Sequence, residues 1–185
     1  MVRPTADARR VWRSPLRLPV AATRALYRRL GKDPSRYRGS PEALLRRARS
    51  EKALYRIHNV VDVINLVSLR TLLPIGLYDA AKLRPPLVLR RGAPGEAYDG
   101  IGKEQLNLDG LPVLADAEGP FGSPTSDSPR TMVTEATREV FAVVFGVTGR
   151  AELEPAMEML TALVRRHCAG EVSDPSFVRG DPTNG

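Results

Sequence analysis

Apolar positions along the chain fall into short helical and extended patterns separated by Gly, Pro and Asp. Between Val20 and Leu30, Leu26 and Leu30 stand four apart among Arg24, Arg28 and Arg29. Gly31 follows where a helix would stop, which predicts a short basic helix over 20–30. Ser40, Pro41 and Glu42 form a start signal for a second basic helix over 41–54. In NVVDVINLVSLRTLLP, Val60, Val63, Ile64 and Val67 recur at three- and four-residue steps, predicting a mostly buried third helix ended by Pro74. PIGLYDAAKL reads as a short extended stretch with Gly76 at a special backbone position. LVLRRG (87–92), GEAYDG (95–100) and LPVLAD (111–116) have the punctuation of hairpin strands. The apolar run in REVFAVVFGV, bounded by Gly146 and Gly149, predicts a buried strand. A last helix places Leu153, Met157, Leu160 and Val164 on one face, with acids early, Arg165, Arg166 and His167 late, and Gly170 as its stop. Residues 1–19 read as irregular and 171–185 as a flexible tail. The expected class is α/β in the α+β sense, a mostly antiparallel mixed sheet packed with helices.

Composition narrows the setting. A chain of 185 residues, 42 % hydrophobic, suits one domain with a sizeable core. The one cysteine, Cys168, excludes an intramolecular disulfide framework and reads as a small buried hydrophobe in a reducing compartment. No stretch approaches the roughly 20 uninterrupted apolar residues of a membrane helix, so a soluble protein with no membrane partner is expected. Charge is unevenly shared within the net +7: residues 1–56 hold 16 Lys and Arg against 4 Asp and Glu, and residues 57–185 hold 12 against 17. A basic segment before an acidic body implies a polyanion or anionic surface as partner. The Arg-rich start resembles a transit peptide in composition but lacks a secretory apolar core, and a cytoplasmic basic arm is the preferred reading.

Little chemistry survives inspection. His58 and His167 lie in separate predicted elements, and one cysteine completes no thiolate site, so no metal is expected. No phosphate-cradling glycine loop is present, and no cofactor is expected. One loop stands out, with Ser123, Thr125, Ser126, Asp127, Ser128, Arg130, Thr131 and Thr134 within twelve positions. Its hydroxyls suit a water or polar substrate, Asp127 a proton, and Arg130 a phosphate or developing oxyanion. The same residue types also serve an ordinary turn. Asp62, Asn65 and Ser68 form a polar stripe on the apolar third helix, either a pocket wall or a lock onto the neighbouring sheet. His58 reads as a structural histidine at that helix's start.

The run RIHNVVDVINLVSLRTLLPIGLYD, followed by LVLRRGAPGEAY and RTMVTEATREVFAVV, resembles the B3/B4 domain of the phenylalanyl-tRNA synthetase beta subunit over about residues 37–148. It is more similar still to freestanding proteins built from that domain alone, and the PTSDSPRT loop fits that branch. The resemblance implies a B3/B4-like module over 36–170 behind a basic extension over 1–35. In the synthetase the domain hydrolyses the ester of wrongly attached amino acids. Here the resemblance implies either an aminoacyl-tRNA deacylase acting in trans on the aminoacylated 3′ end of a tRNA, or a module that binds tRNA, other RNA or a free amino acid without hydrolase activity. A third class is a protein-interaction role for the basic arm. Gly76 stands where the synthetase pattern usually has histidine, and Pro129 falls near the place of its usual glutamate, departures that favour binding without chemistry. On the hydrolase reading, Asp127 and Arg130 are the catalytic candidates, and Asn65, Gly76, Ser126, Ser128, Thr131 and Thr134 are the substrate-binding ones. Gly76 would leave room for a substrate side chain or a close backbone approach. Arg24, Arg28, Arg29, Arg46, Arg47 and Arg49 would grip RNA phosphate.

Overall fold

The computed structural model describes residues 17–49, 58–102 and 104–179. Its elements are α1 (Arg17–Arg29), α2 (Ser40–Arg49), α3 (Asn59–Thr71), β1 (Ile75–Asp79), β2 (Val88–Arg91), β3 (Ala97–Asp99), β4 (Gln105–Asn107), β5 (Pro112–Asp116), β6 (Gly119–Gly122), β7 (Val140–Val144) and α4 (Arg150–Cys168). Single 3-10 turns lie at Ala80–Lys82 and Pro129–Thr131. The strands form three antiparallel sheets, β1–β7, β2–β5–β6 and β3–β4. The α+β class therefore holds, with small separate sheets in place of one.

Local chemistry sets the helix limits. α1 starts earlier than expected because Pro19 falls in the first turn, where a backbone N–H has no intrahelical partner to lose. α2 opens at Ser40 with Glu42 in its first turn and is described to Arg49; the expected continuation over 50–54 lies outside the described residues. His58 caps α3, its Nδ1 accepting from the Val60 N–H at 3.4 Å. That helix ends at Leu72 in the left-handed region (φ 59°), whose N–H donates to the Ser68 carbonyl, before Pro74 is reached. α4 likewise ends at Ala169 (φ 49°), one residue before the glycine expected to stop it.

Three apolar clusters alternate with the sheets. The first joins Val63, Ile64 and Val67 of α3 to Ala156 and Leu160 of α4 over Ile75, with Ala142 and Val144 of β7 packed on it. The second lies across the β1–β7 sheet and gathers Tyr78, Leu114 and Phe121, with Phe141 and Val143 of β7. Apolar contacts on both faces explain the continuous apolar run of β7. The strand is half-buried along its length, a correction to the buried strand expected, because it is hydrogen-bonded on one side only, to β1. A third cluster, on the far face of β5, holds Tyr27, Tyr98, Leu108, Leu111 and Val113. Through Tyr27, fully buried, the basic helix α1 is packed into the body. Cys168 is half-buried beside the first cluster, and burial, with Asp62 next, raises its thiol pKa.

The expected polar loop is partly ordered structure. The residues just before it form β6, and a register shift opposite Leu114 and Ala115 accommodates Phe121 as an extra residue in that strand. Ser123, Thr125, Ser128 and Thr131 of the loop, and Thr137 beyond it, are buried. Residues 171–179 have neither helix nor strand, yet Phe177 lies under the Arg150 guanidinium at 4.4 Å; residues 180–185 lie outside the described ones.

Candidate functional site

Buried tyrosine hydroxyls need partners, and three of them find theirs on one loop. Tyr27 of α1 shares a hydrogen bond with Thr125 Oγ1 at 2.8 Å. Tyr98 of β3 donates to the Ser126 carbonyl at 2.6 Å. Tyr78 of β1 donates to Asp127 Oδ1 at 2.7 Å. Backbone bonds complete the attachment: Ser40 N–H donates to the Pro124 carbonyl, Ile101 N–H to the Asp127 carbonyl, and Ser128 N–H to the Phe121 carbonyl, at 2.9, 3.0 and 2.8 Å. Ser123 Oγ folds inward, donating to Ser126 O at 2.9 Å. Burial is the largest influence on all three phenols. It takes Tyr27 to about 12, and raises Tyr78, with Asp127 next, and Tyr98 above the ordinary tyrosine value. All three are therefore protonated at neutral pH.

The pinned loop forms one wall of a cavity of about 280 Å³. Thr125, Ser126 and Asp127 face Asn65 and Ser68 of α3, while Ala43, Leu44, Ile64, Ile75 and Ile101 supply apolar walls. Ser68 is committed to structure, donating to the Leu73 carbonyl at 2.8 Å. The polar stripe of α3 thus divides: Ser68 locks the turn into β1, Asn65 is a pocket wall, and Asp62 is exposed. The volume sits just below the roughly 300–1,000 Å³ of drug-sized pockets and suits a group the size of one amino-acid residue. A groove of about 500 Å³ between α4 and residues 173–177 is larger, but no residue expected at the site lines it.

Of the expected site residues, Asn65, Ser126 and Asp127 meet in the cavity. Arg130 does not line it. Its guanidinium makes paired bonds to Asp116, 2.8 and 3.1 Å, and reaches Glu118 at 3.0 Å. Ser128 caps the 3-10 turn by accepting from the Arg130 N–H. Thr131 is fully buried, and Thr134 N–H donates to Thr137 Oγ1, which donates in turn to Asp79 at 2.8 Å. Gly76 has no positive φ and leaves no space for a substrate: a Cβ there would lie 2.6 Å from Tyr78 Cζ, and so would one at Gly122. Arg24 is bound by Glu42, with Nε to Oε1 at 3.1 Å. Arg28, Arg29 and Arg46 are exposed and Arg47 is half-buried; the side chain of Arg49 lies outside those described.

Sequence reasoning missed the three tyrosines. The available signal was compositional: in a chain only 5 % aromatic, five of the aromatics are tyrosines, and buried phenols call for acceptors such as this loop supplies. Among the described residues no His, Cys, Asp and Glu cluster could hold a metal ion, and no helix is long and apolar enough to cross a membrane.

Fold and site together define an α+β module in which small antiparallel sheets hold a half-polar cavity against helices. Comparison with known proteins agrees. A family model described as the B3/4 domain matches residues 22–169, and the chain belongs to that family. It is 28 % identical over 153 residues to the phenylalanine–tRNA ligase beta subunit of Paramagnetospirillum magneticum, covering 68 % of this chain and 19 % of the relative. The corresponding subunit of Bartonella quintana is 29 % identical over 166 residues, covering 75 % and 20 %. The chain thus spans about a fifth of the length of these relatives. Among solved structures, an N-terminal fragment of the phenylalanyl-tRNA synthetase beta-subunit from Pyrococcus horikoshii shares the fold, with a TM-score of 0.52 at 21 % identity over 59 % of this chain and 40 % of that one.

Proposed function

We propose that the chain is a tRNA-binding module of the editing type, which takes the aminoacylated 3′ end of a tRNA into the α2–α3 cavity and hydrolyses the ester of a misattached amino acid in trans. The observation that carries this reading is the composition of the cavity: an apolar wall of Leu44, Ile64 and Ile75 for a side chain, opposite the polar group of Asn65, Ser126 and Asp127. An aminoacyl ester is an activated bond, so a held water and a carboxylate to receive its proton are sufficient help when both are positioned. Asp127 is the carboxylate in that wall, and its attachment to Tyr78 and Ile101 holds it in place. Membership in the B3/4 domain family, together with relatives that are phenylalanine–tRNA ligase subunits, supports tRNA as the partner. A cytoplasmic location follows from the same reading.

The test is deacylation of a panel of misacylated tRNAs by the wild-type chain and by Asp127→Ala. At least one tRNA loses its amino acid faster than in buffer, and the variant slows that loss by about a hundredfold or more, the scale of a general base. No acceleration with any tRNA ends the hydrolase reading. A second reading, binding of tRNA or an amino acid without chemistry, is favoured by one observation: Arg130, expected to stabilise the oxyanion, is held by Asp116 and Glu118 outside the cavity.

A further inference from the structure

The Tyr78 side chain is held more tightly than core packing requires. It is fully buried, its ring meets Phe121 edge-on at 4.8 Å, and Phe121 is the residue that the register shift inserts into β6. The ring runs back along its own strand over Gly76, and across to Gly122, so that its hydroxyl end passes between two backbones. A Cβ at either glycine would fall within contact distance of the hydroxyl and 2.6 Å from Cζ. At the end of this slot the hydroxyl donates to Asp127 Oδ1 at 2.7 Å. A phenylalanine would fill the same apolar space with no polar atom to satisfy. Two glycines and a strand irregularity serve instead to bring one buried hydroxyl to one carboxylate that lines the cavity.

We infer that Tyr78 is a positioning residue for the Asp127 carboxylate, and that glycine stands at 76 and 122 to seat its hydroxyl. The inference rests on the reading above that the cavity receives an aminoacyl ester. Asp127 turns about two side-chain torsions, and a fixed donor on Oδ1 holds the carboxylate plane in one orientation relative to the cavity. Positioning of this kind acts on the chemical step more than on uniform binding. Gly76 then opens no space for substrate; it gives room to the residue that orients Asp127.

Tyr78→Phe retains the ring and removes the hydroxyl alone. With a tRNA that the wild type deacylates, it lowers kcat about tenfold or more, the scale of a hydrogen bond to a charged group, and raises KM by a smaller factor of about three. A second measurement uses 3′-aminoacylamino-3′-deoxyadenosines, in which an amide replaces the ester, titrated against wild type, Tyr78→Phe, Asp127→Ala and the double variant. The loss of affinity caused by Tyr78→Phe disappears once Asp127 is alanine, the coupling expected of two residues acting as one. If Tyr78→Phe lowers the melting temperature but leaves kcat and affinity at wild-type values, Tyr78 is a core tyrosine and the inference is overturned while the proposed function stands. If no tRNA is deacylated but the analogue binds and the coupling is found, the positioning role stands and hydrolysis fails. Absence of analogue binding to the wild type overturns both.

Discussion

Thr131 is completely buried, and its hydroxyl has no hydrogen-bond partner among the described residues. A buried hydroxyl left unpaired costs free energy that a methyl group of the same shape does not. Thr131→Val therefore stabilises the protein by about 1 kcal/mol, read as a rise in the thermal midpoint. Had Thr131 met a substrate, as its place in the loop suggested, the substitution would weaken binding with little gain in stability. Asp116 shows the opposite balance. Burial is the largest influence on its carboxyl and pushes its pKa up, yet the paired bonds from Arg130 and the N–H groups of Arg84 and Glu118 together hold it below the ordinary value. A depressed folded-state value means stability that is present above the unfolded carboxylate range and lost as pH falls through the folded one. Asp116→Asn accordingly lowers stability by about 1–3 kcal/mol at neutral pH, and its deficit against wild type shrinks at about pH 3, as measured by denaturant unfolding at both.

Elements with a periodic apolar face were readable from sequence because a few repeats identify them. α3, β5 and α4 fall close to the positions predicted, each with a face that packs against another element. β4 and β6 were missed for a physical reason. Three residues of β4 cannot establish a period, and β6, Gly-Pro-Phe-Gly, consists mostly of residues that disfavour strands and is held in place by β5 and by Phe121 packing. The candidate site was half readable. Asp127, Ser126 and Asn65 could be singled out because polar side chains beside apolar runs call for an explanation. The roles of Arg130 and Gly76 depend on partners far along the chain, Asp116 and Tyr78, that no local pattern links to them. Local spacing shows which residues are chemically capable, and the long-range pairing of strands decides which of them remain available.

At the level of the whole molecule, the separation of charge along the sequence does not correspond to a detachable basic arm. α1 carries Arg28 and Arg29 on its exposed side while Tyr27 is fully buried and bonded to Thr125 in the cavity wall. Removing residues 1–35 would take a buried aromatic out of the third cluster, a change on the scale of about 3–5 kcal/mol, so a loss of RNA binding by that truncation would report unfolding as much as lost contacts. Point substitutions separate the two effects. Arg28 and Arg29 form no ion pair among the described residues, and their replacement by glutamine changes stability by less than about 0.5 kcal/mol, the usual range for surface sites. On the proposed reading both arginines meet phosphate, and each lost contact reduces the slope of log affinity against log salt by about one. Arg28→Gln combined with Arg29→Gln therefore weakens binding to all tRNAs alike and flattens the salt dependence by about two, measured by titration of labelled tRNA at several salt concentrations. A slope equal to that of the wild type would place the RNA elsewhere. It would also separate the cavity from this helix, because the Tyr27 hydroxyl ties α1 to the loop and sets how far those arginines stand from Asp127.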